Sequence, residues 1–230
     1  MRFCPPALAL LFWISLTSTT TAQGAPPLNL VPSTGAADRA ISRQAPAQST
    51  KQPMDAATAI TRANAYFNTN LTMVADFIQL GADGRRTDGK LFVLRPGKLR
   101  FEYAKPATLE IIADGTSVAV RDRKLATQDV YFIGQTPLKF LLKEKIDIAR
   151  DTKVLEVRAD EKSVSILIED RATFGGTSRI RLVFDAANFS LRQWTVTDPQ
   201  GFETLVSLTN IDLAQRPDPS LFRINYERFD

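Results

Sequence analysis

The sequence predicts a mainly β protein with a few α-helices, in which strands run antiparallel to their neighbours. From Met73 onwards, apolar and polar residues alternate with a period of two in a succession of short runs. Turn signals such as Asp88-Gly89 and Asp114-Gly115 separate these runs, and the connections are too brief to hold crossover helices. Helical spacing, with apolar residues three and four apart, is confined to two stretches. The strands are therefore predicted to form an antiparallel meander.

The first helical stretch precedes the strands. In "MDAATAITRANAYFNTNL", apolar side chains recur at Ala56, Ile60, Ala63 and Phe67, which is the spacing of an amphipathic helix. Asp55 stands just before this pattern, where a carboxylate can accept hydrogen bonds from the free N–H groups of the first turn. We therefore expect a helix that begins after Asp55 and is buried along one side.

Eleven or twelve strands are predicted, in two groups separated by a helical interruption. The first group is "MVADFIQLG", "DGKLFVLR", "KLRFEYA", "TLEIIAD", "SVAVRDR" and "LATQDVYF". The second group is "TKVLEVRAD", "KSVSILIED", "SRIRLVFD", "LRQWTVTD", "FETLVSLTN" and a last short "FRINY". Between them, "TPLKFLLKEKID" is predicted to be a helix, with Thr136 as its cap and Pro137 in its first turn. Three leucines lie on one side of that helix: Leu138, Leu141 and Leu142.

The regular alternation of "KLRFEY" places Leu99, Phe101 and Tyr103 on one face of a strand and charged residues on the other. A sheet of this many strands must curl, close or split into two layers. If it splits, the apolar face is the packed core of a sandwich. If it curls, that face can line a cavity with a helix laid over it. The residues themselves leave both architectures open.

The first 53 residues differ in composition from the rest. Residues 1–22 combine Arg2, an apolar stretch and small residues before Gln23, which is typical of a cleaved secretory signal peptide. The apolar stretch is roughly half the length of about 20 residues that a membrane-spanning helix needs. Residues 23–53 are rich in Ala, Pro, Ser, Thr and Gln and are predicted to be a disordered linker. Residues 54–230 are then predicted to be one exported β domain.

Composition argues against several classes of function. The chain has no histidine, and its single cysteine, Cys4, lies in the predicted signal peptide. Triad, thiol and zinc enzymes are therefore disfavoured, and the sequence predicts no catalytic residue, cofactor or metal site. After cleavage, the loss of Arg2 leaves 28 basic residues against 25 acidic ones, without a dense basic run of the kind that binds nucleic acid. The stretches "GADG" and "TFGG" are interpreted as hairpin turns and not as phosphate-binding loops.

The most concentrated signal in the sequence is apolar. Five large side chains stand out beside the leucines of the helical interruption: Phe77, Phe92, Leu99, Phe101 and Tyr103. For any one of them, a place in a packed core is the simpler interpretation. Considered together, these side chains would form an apolar lining under a helical cover. A carrier of acyl chains requires such a lining, because each CH₂ group exposed to water costs about 0.8 kcal/mol.

One long stretch resembles a known family. "FIQLGADGRRTDGKLFVLRPGKLRFEYAKPATLEIIADGTSVAVRD", followed by "TPLKFLL", resembles the periplasmic outer-membrane lipoprotein carrier proteins of the LolA family. The matching positions are Phe77, Gln79, Gly89, Arg95, Pro96, Arg100, Tyr103, Pro106, Asp114 and Gly115. The resemblance implies an unclosed, curved antiparallel β-barrel with a helical lid over a hydrophobic cavity.

The resemblance also implies a function. Such a protein is a periplasmic chaperone that takes the acyl chains of lipoproteins from an inner-membrane ABC exporter and delivers them to an outer-membrane acceptor, as a monomer and without a cofactor. Arg95 matches an arginine that holds the lid over the empty cavity. The residues implied to line the cavity are Phe77, Phe92, Leu99, Phe101 and Tyr103. The residues implied to lie in the lid are Leu138, Leu141 and Leu142.

Two alternatives stay open. A periplasmic lipid-binding, glycolipid-binding or sensor domain would share the same fold, and a structural β domain would bind no ligand.

The resemblance does not account for residues 23–53. Some members of the family carry Trp where this chain has Phe101 and Tyr103, so the resemblance does not define the size of the cavity.

Overall fold

The computed structural model describes residues 54–137, 139–173 and 175–226. The predicted signal peptide, the predicted linker and Leu138 lie outside the described residues. Within them the chain is mainly β, as predicted, and contains eleven strands. The strands are β1 (Thr72–Leu80), β2 (Arg86–Leu94), β3 (Lys98–Tyr103), β4 (Leu109–Asp114), β5 (Ser117–Asp122), β6 (Thr127–Phe132), β7 (Lys153–Ala159), β8 (Ser163–Thr173), β9 (Gly176–Asp185), β10 (Leu191–Thr197) and β11 (Glu203–Asp212).

Helices occupy three places in the described chain. They are α1 (Ala56–Thr69), α2 (Lys139–Leu142) and α3 (Ile148–Asp151), with short 3₁₀ turns at Ile133–Gln135 and Pro219–Phe222. The predicted cap of α1 is confirmed, because Oδ1 of Asp55 accepts a hydrogen bond from the Thr58 N–H at 2.9 Å. The side of α1 that is buried carries Ala59, Ala63 and Phe67. Ala56, which was expected on that side, is exposed.

All eleven strands belong to one antiparallel sheet, in the order β6-β5-β4-β3-β2-β1-β11-β10-β9-β8-β7. Strands that follow one another along the chain are neighbours, apart from β6 and β7, and β11 returns to pair with β1. In the described part of the chain, β6 and β7 each pair on one side only, so the sheet curves without closing. The single curved sheet decides between the two architectures that the residues left open.

The inner face of the sheet is the face that carries Phe101. Residues paired directly across antiparallel strands share a face, so Ala75 of β1 and Leu91 of β2 lie beside Phe101 on the inner face. Residues 133–152, which we call the connector, join the two edge strands β6 and β7. Side chains of the connector and of α1 belong to the same buried cluster as the inner-face side chains. The helices therefore cover the inner face.

The opposite, outer face is crossed by residues 219–226, which we call the C-terminal segment. The side chain of Arg100, which points away from Phe101, donates from Nη1 to the Leu221 carbonyl oxygen at 3.1 Å. The twelfth strand predicted at "FRINY" is wrong, because this segment is a 3₁₀ turn followed by irregular chain. Its backbone meets side chains of the sheet and not a strand edge.

One predicted turn is confirmed and another is wrong. Asp114-Gly115 joins β4 to β5, and Oδ1 of Asp114 accepts a hydrogen bond from the Ser117 N–H at 2.9 Å. Asp88-Gly89 lies inside β2. The first hairpin turns instead within residues 81–85, which begin with "GADG", and Gly84 there has a φ of 76°.

Gly89 has a packing role inside β2. It pairs with Phe77 on one side and with Tyr103 on the other. A Cβ atom at this position would lie 2.0 Å from the carbonyl oxygen of Glu102, which is far inside van der Waals contact. Because glycine has no side chain, the rings of Phe77 and Tyr103 approach each other across β2 to 5.1 Å between centroids.

The helix predicted for "TPLKFLLKEKID" is broken into separate pieces. Thr136 ends the 3₁₀ turn, donating its N–H to the Ile133 carbonyl oxygen at 3.0 Å, and does not begin a helix. The carbonyl oxygen of Leu142 accepts from the Gly97 N–H at 2.8 Å, and the Ile146 N–H donates to a side chain of α1. The bond from Ile146 to Leu142 that would continue a helix is thus replaced by tertiary bonds on both sides.

Candidate functional site

The aromatic side chains predicted from the sequence meet on the inner face. The ring centroids of Phe77 and Phe101 are 5.0 Å apart at an interplanar angle of 85°, and Phe101 also stacks on Tyr103 at 6.2 Å. Trp194 of β10 contacts Phe101 edge to face at 6.4 Å, a neighbour that the sequence did not identify. Phe77, Leu99, Phe101 and Tyr103 are at most 5% exposed. The four form one continuous apolar surface.

The polar end of Tyr103 is satisfied within this surface. Its hydroxyl donates a hydrogen bond to Oε1 of Gln79 at 2.8 Å. Burial raises the pKa of Tyr103 well above its usual value, so the phenol stays uncharged. The aromatic part of the inner face therefore carries no phenolate charge under ordinary conditions.

Phe92 does not belong to this surface. It pairs directly with Arg100 on β3 and with Val74 on β1, which places it on the outer face. Its side chain is half-buried and lies outside the buried cluster of the inner face. The expectation that Phe92 shares a face with Phe77 and Phe101 is therefore wrong. Its neighbours Leu91 and Val93 take the inner positions.

A second aromatic group lies beneath α1. Tyr66 and Phe67 contact the ring of Phe184 edge to face, at 5.8 and 6.0 Å between centroids. Phe184 stacks on Phe189 at 4.7 Å, and the guanidinium of Arg62 lies 4.4 Å from the centre of the Phe189 ring. The helical spacing of α1 predicted the burial of Phe67, but the partners on β9 and beyond it are distant in sequence.

The connector places its own apolar side chains against the inner face. Leu142, Ile146 and Ile148 are at most 2% exposed, and Leu141 is half-buried beside them. Leu141 and Leu142 were predicted to lie in this cover, whereas the two isoleucines were missed. Both isoleucines follow a charged "KEK" run that breaks the apolar spacing. Folded in this way, the connector hides apolar surface that would otherwise face water.

Two asparagines of α1 hold the connector. Asn68 forms a pair of bonds with the backbone of Ile146, donating from Nδ2 to its carbonyl oxygen at 2.8 Å and accepting its N–H on Oδ1 at 2.9 Å. One turn earlier, Oδ1 of Asn64 accepts the N–H of Ile148 at 3.0 Å. The spacing of four residues puts both amides on the same side of α1. Helix α1 and the connector are therefore joined by side-chain bonds and form one cover.

Replacing Asn68 with alanine should loosen the connector. The change leaves the N–H and the carbonyl oxygen of Ile146 without their partners, and a buried polar group left unpaired costs about 1–3 kcal/mol. We expect faster amide hydrogen exchange at Ile146 and Ile148, with strands β1 to β3 unaffected. Asn70→Ala is the matched control, because among the described residues the side chain of Asn70, the C-cap of α1, bonds to the Tyr66 carbonyl oxygen at 2.7 Å and not to the connector. Equal exchange in both variants would mean that the amide does not hold the connector.

Arg95 lies at the boundary between the sheet and the connector. It follows β2 directly, is 6% exposed, and donates from Nη1 to the Lys143 carbonyl oxygen at 3.5 Å. Among the described residues, its buried Nη2 has no hydrogen-bond partner. Burial lowers the pKa of Arg95. The connector therefore provides the guanidinium with a single long hydrogen bond. This bond offsets only part of the energetic cost of burying the charge.

A buried ion pair holds the other side of α2. Nζ of Lys139 lies 2.9 Å from Oδ2 of Asp170 on β8, and the side chain of Asp170 is 5% exposed. Lys143, at the end of α2, pairs with Asp151 at 3.1 Å. The connector is therefore fixed by hydrogen bonds and ion pairs, and none of its described residues joins the sheet as a strand.

Two further searches of the described residues gave negative results. Among them, no group of three or more His, Cys, Asp or Glu side chains is arranged to hold a metal ion. In the same residues, no helix has both the length and the apolar character that crossing a membrane would require.

Comparison with known proteins identifies a family. The model of the outer membrane lipoprotein carrier protein LolA matches residues 68–225. The outer-membrane lipoprotein carrier protein of Chromobacterium violaceum is 36% identical over 100 residues, which cover 42% of this chain and 45% of that protein. Its counterpart in Nitrosomonas europaea is 28% identical over 178 residues, covering 73% of this chain and 84% of the relative.

Solved structures include similar chains at low sequence identity. The crystal structure of a LolA superfamily protein from Nitrosomonas europaea superposes with a TM-score of 0.42 and 10% identity. The superposition covers 76% of this chain and all of that one.

Proposed function

Because this chain belongs to the LolA family of outer-membrane lipoprotein carrier proteins, we propose that it carries the acyl chains of lipoproteins across the periplasm. The observation that supports this proposal best is the cover over the inner face. An apolar surface is hidden by α1 and the connector, which are fastened by side-chain bonds that can break and re-form. The proposal requires that this cover move off the inner face when a ligand binds.

In this proposal, acyl chains of the ligand replace apolar side chains of the connector on the inner face. When the cover moves, Leu142, Ile146 and Ile148 leave the inner face, and acyl chains take their place against Phe77, Leu99 and Phe101. Each CH₂ group that the ligand buries recovers about 0.8 kcal/mol, which offsets the cost of exposing the side chains of the connector. No covalent step is needed, so the proposed carrier requires neither a cofactor nor a catalytic residue.

Arg95 is proposed to be the latch of this cover. Its bond to Lys143 exists only while the connector lies on the sheet. One bond of 3.5 Å, next to an Nη2 atom with no partner in the described chain, makes a weak closure that a ligand can open. The acyl-binding residues are proposed to be Phe77, Leu99, Phe101 and Tyr103, without Phe92. Leu141 and Leu142 are proposed to move with the lid.

The location and partners follow from the same proposal. Residues 1–22 would direct the chain across the inner membrane and be removed, leaving a periplasmic domain at residues 54–230. An inner-membrane ABC exporter would supply the lipoprotein, and an acceptor at the outer membrane would receive it. A monomer is sufficient for this transfer, because one chain supplies both the inner face and its cover.

The proposal is tested by competition for the inner face. The purified protein is loaded with the apolar fluorescent dye bis-ANS, and a triacylated lipopeptide is compared with the same peptide lacking its acyl chains. We expect only the acylated form to displace the dye. Absence of dye binding, or equal displacement by both peptides, would favour a structural β domain.

A second assay separates a carrier from a sensor of similar fold. Spheroplasts that accumulate lipoproteins in the inner membrane are incubated with the protein, and soluble lipoprotein is measured after centrifugation. A carrier should release lipoprotein as a soluble complex, whereas a lipid-binding sensor should bind the lipopeptide and release nothing.

A further inference from the structure

Strand β6 forms an open edge of the sheet. Among the described residues it pairs with β5 alone, through six consecutive residue pairs without a bulge. The Ile133 N–H, which continues this ladder, donates to the Thr116 carbonyl oxygen at 3.0 Å. In an antiparallel ladder, residues that bond to the neighbouring strand alternate with residues that do not. The odd-numbered residues of β6 therefore bond to β5, and the backbone N–H and C=O groups of Gln128, Val130 and Phe132 point to the open edge.

Two of these residues also expose large apolar side chains on the outer face. Tyr131 pairs with Val118, which belongs to the buried cluster of the inner face, so the positions next to Tyr131 face outwards. Val130 is 44% exposed and Phe132 is 64% exposed. Beside its outward-pointing backbone groups, β6 therefore offers apolar surface to a partner.

The other edge strand, β7, is protected against pairing. Its register with β8 shifts between Val154 and Glu156, so a bulge disturbs the edge. It carries charged side chains at Lys153, Glu156 and Arg158, and α1 and α3 pack against it. Bulges, charged residues and covering helices are means by which proteins keep sheet edges from pairing. By contrast, the ladder of β6 is regular, and its single charged residue is Asp129.

The open edge borders the proposed acyl site. Ile133, the residue after β6, packs against the buried cluster of the inner face, and the connector begins with it. A lipoprotein is a polypeptide joined to acyl chains at one end, so its polypeptide has to leave the inner face while its acyl chains stay there. A few residues of extended chain, which advances about 3.3 Å per residue, bring that polypeptide to the edge of β6.

We propose that the open edge of β6 binds the extended polypeptide segment that follows the acylated end of a lipoprotein. This inference rests on the proposed function, because acyl binding at the inner face brings the segment to the edge. The segment adds to the sheet as a strand beside β6, with its backbone bonded to Gln128, Val130 and Phe132. Backbone bonds do not depend on side-chain identity, so one edge serves lipoproteins of different sequence.

The size of the edge favours a tethered segment over a second copy of this chain. A stable protein–protein interface uses about 20–30 residues a side, whereas β6 has six residues. Pairing along so short an edge is weak unless another contact already holds the partner nearby. Acyl chains on the inner face provide that contact, and the high effective concentration of the linked segment makes weak pairing sufficient.

Amide hydrogen exchange measured by NMR tests the site residue by residue. In the empty protein we expect faster exchange at Gln128, Val130 and Phe132 than at Asp129 and Tyr131, whose N–H groups bond to β5. A triacylated lipopeptide with a segment of about ten Ser, Thr and Val residues, long enough for one strand, should slow exchange at the first three by about tenfold or more. The same lipopeptide N-methylated throughout its segment should displace bis-ANS equally but leave these three amides unprotected.

The variant Val130→Pro removes one donor from the open edge. Because the Val130 N–H does not point to β5, proline leaves the existing ladder complete, and edge strands tolerate it at such positions. We expect the lipopeptide to leave Val130→Pro for acceptor vesicles about threefold to tenfold faster than it leaves Val130→Ala, the matched control that keeps the N–H. If Val130→Pro does not fold, the N-methylated lipopeptide tests the same bonds with the unaltered protein.

The outcomes separate this inference from the proposed function. Dye displacement by the lipopeptide without protection of the three amides, or equal release from both variants, would overturn the inference and leave acyl binding intact. Absence of dye displacement would overturn both. Slow exchange at Val130 and Phe132 in the empty protein would show that the edge is already occupied. Self-association that is seen by ultracentrifugation and lost in Val130→Pro would assign the edge to a second copy instead.

Discussion

Replacing Arg95 with leucine is expected to slow the release of a bound lipopeptide by about fivefold to tenfold, which corresponds to about 1–1.4 kcal/mol. The bond from Nη1 to the Lys143 carbonyl oxygen stabilises the closed, empty form, and its loss leaves the ligand-bound form relatively more stable. A hydrogen bond to a charged group is worth about 1.5–3 kcal/mol, and the length of 3.5 Å places this one at the low end.

An opposing effect comes from the same side chain. Arg95 is buried, its Nη2 has no partner among the described residues, and burial lowers its pKa. Leucine would remove that cost of burial and favour closure. Because the side chain lies at the rim and 6% of it still reaches solvent, we expect the loss of the bond to outweigh the gain.

The measurement follows a labelled triacylated lipopeptide as it leaves the protein for acceptor vesicles. Arg85→Leu is the matched control, since Arg85 lies in the first hairpin turn with 70% of its side chain exposed. Release that is unchanged or faster in Arg95→Leu than in the control would show that Arg95 does not act as a latch.

Replacing Phe77 with alanine is expected to have the largest effect on stability, lowering the free energy of unfolding by about 3–5 kcal/mol. Phe77 is 1% exposed and lies at the centre of the inner-face aromatic group, with Phe101 at 5.0 Å and Tyr103 at 5.1 Å. Gly89, which separates Phe77 from Tyr103 along β2, has no side chain that could fill the space. The cavity would therefore persist after the substitution.

The matched control is Phe92→Ala, the same change on the outer face. Because Phe92 is only half-buried and lies outside the inner cluster, we expect a loss of about 1 kcal/mol. Urea denaturation followed by tryptophan fluorescence measures both values. Equal losses would contradict the assignment of the two phenylalanines to opposite faces.

Much of the fold follows from local patterns in the sequence. The bounds of all eleven strands fall within a few residues of the predicted runs, since a period of two or a short apolar run between turn signals is visible locally. Helix α1 and its Asp55 cap were predicted from the same kind of local signal. The faces of Leu99, Phe101 and Tyr103 were also predicted, because charged residues alternate with them.

The sequence by itself therefore determined the strands, helix α1 and the apolar face of β3, because these depend on residues a few positions apart. The tertiary structure alone decided what depends on distant partners. Phe92 lies in an unbroken apolar run, "LFVL", so only its pairing with Arg100 assigns it to the outer face. Asn68 meets Ile146 across 78 residues, and Arg100 meets Leu221 across 121. Such contacts have no local period to reveal them, since they are created when β11 pairs with β1 and the connector folds over the inner face.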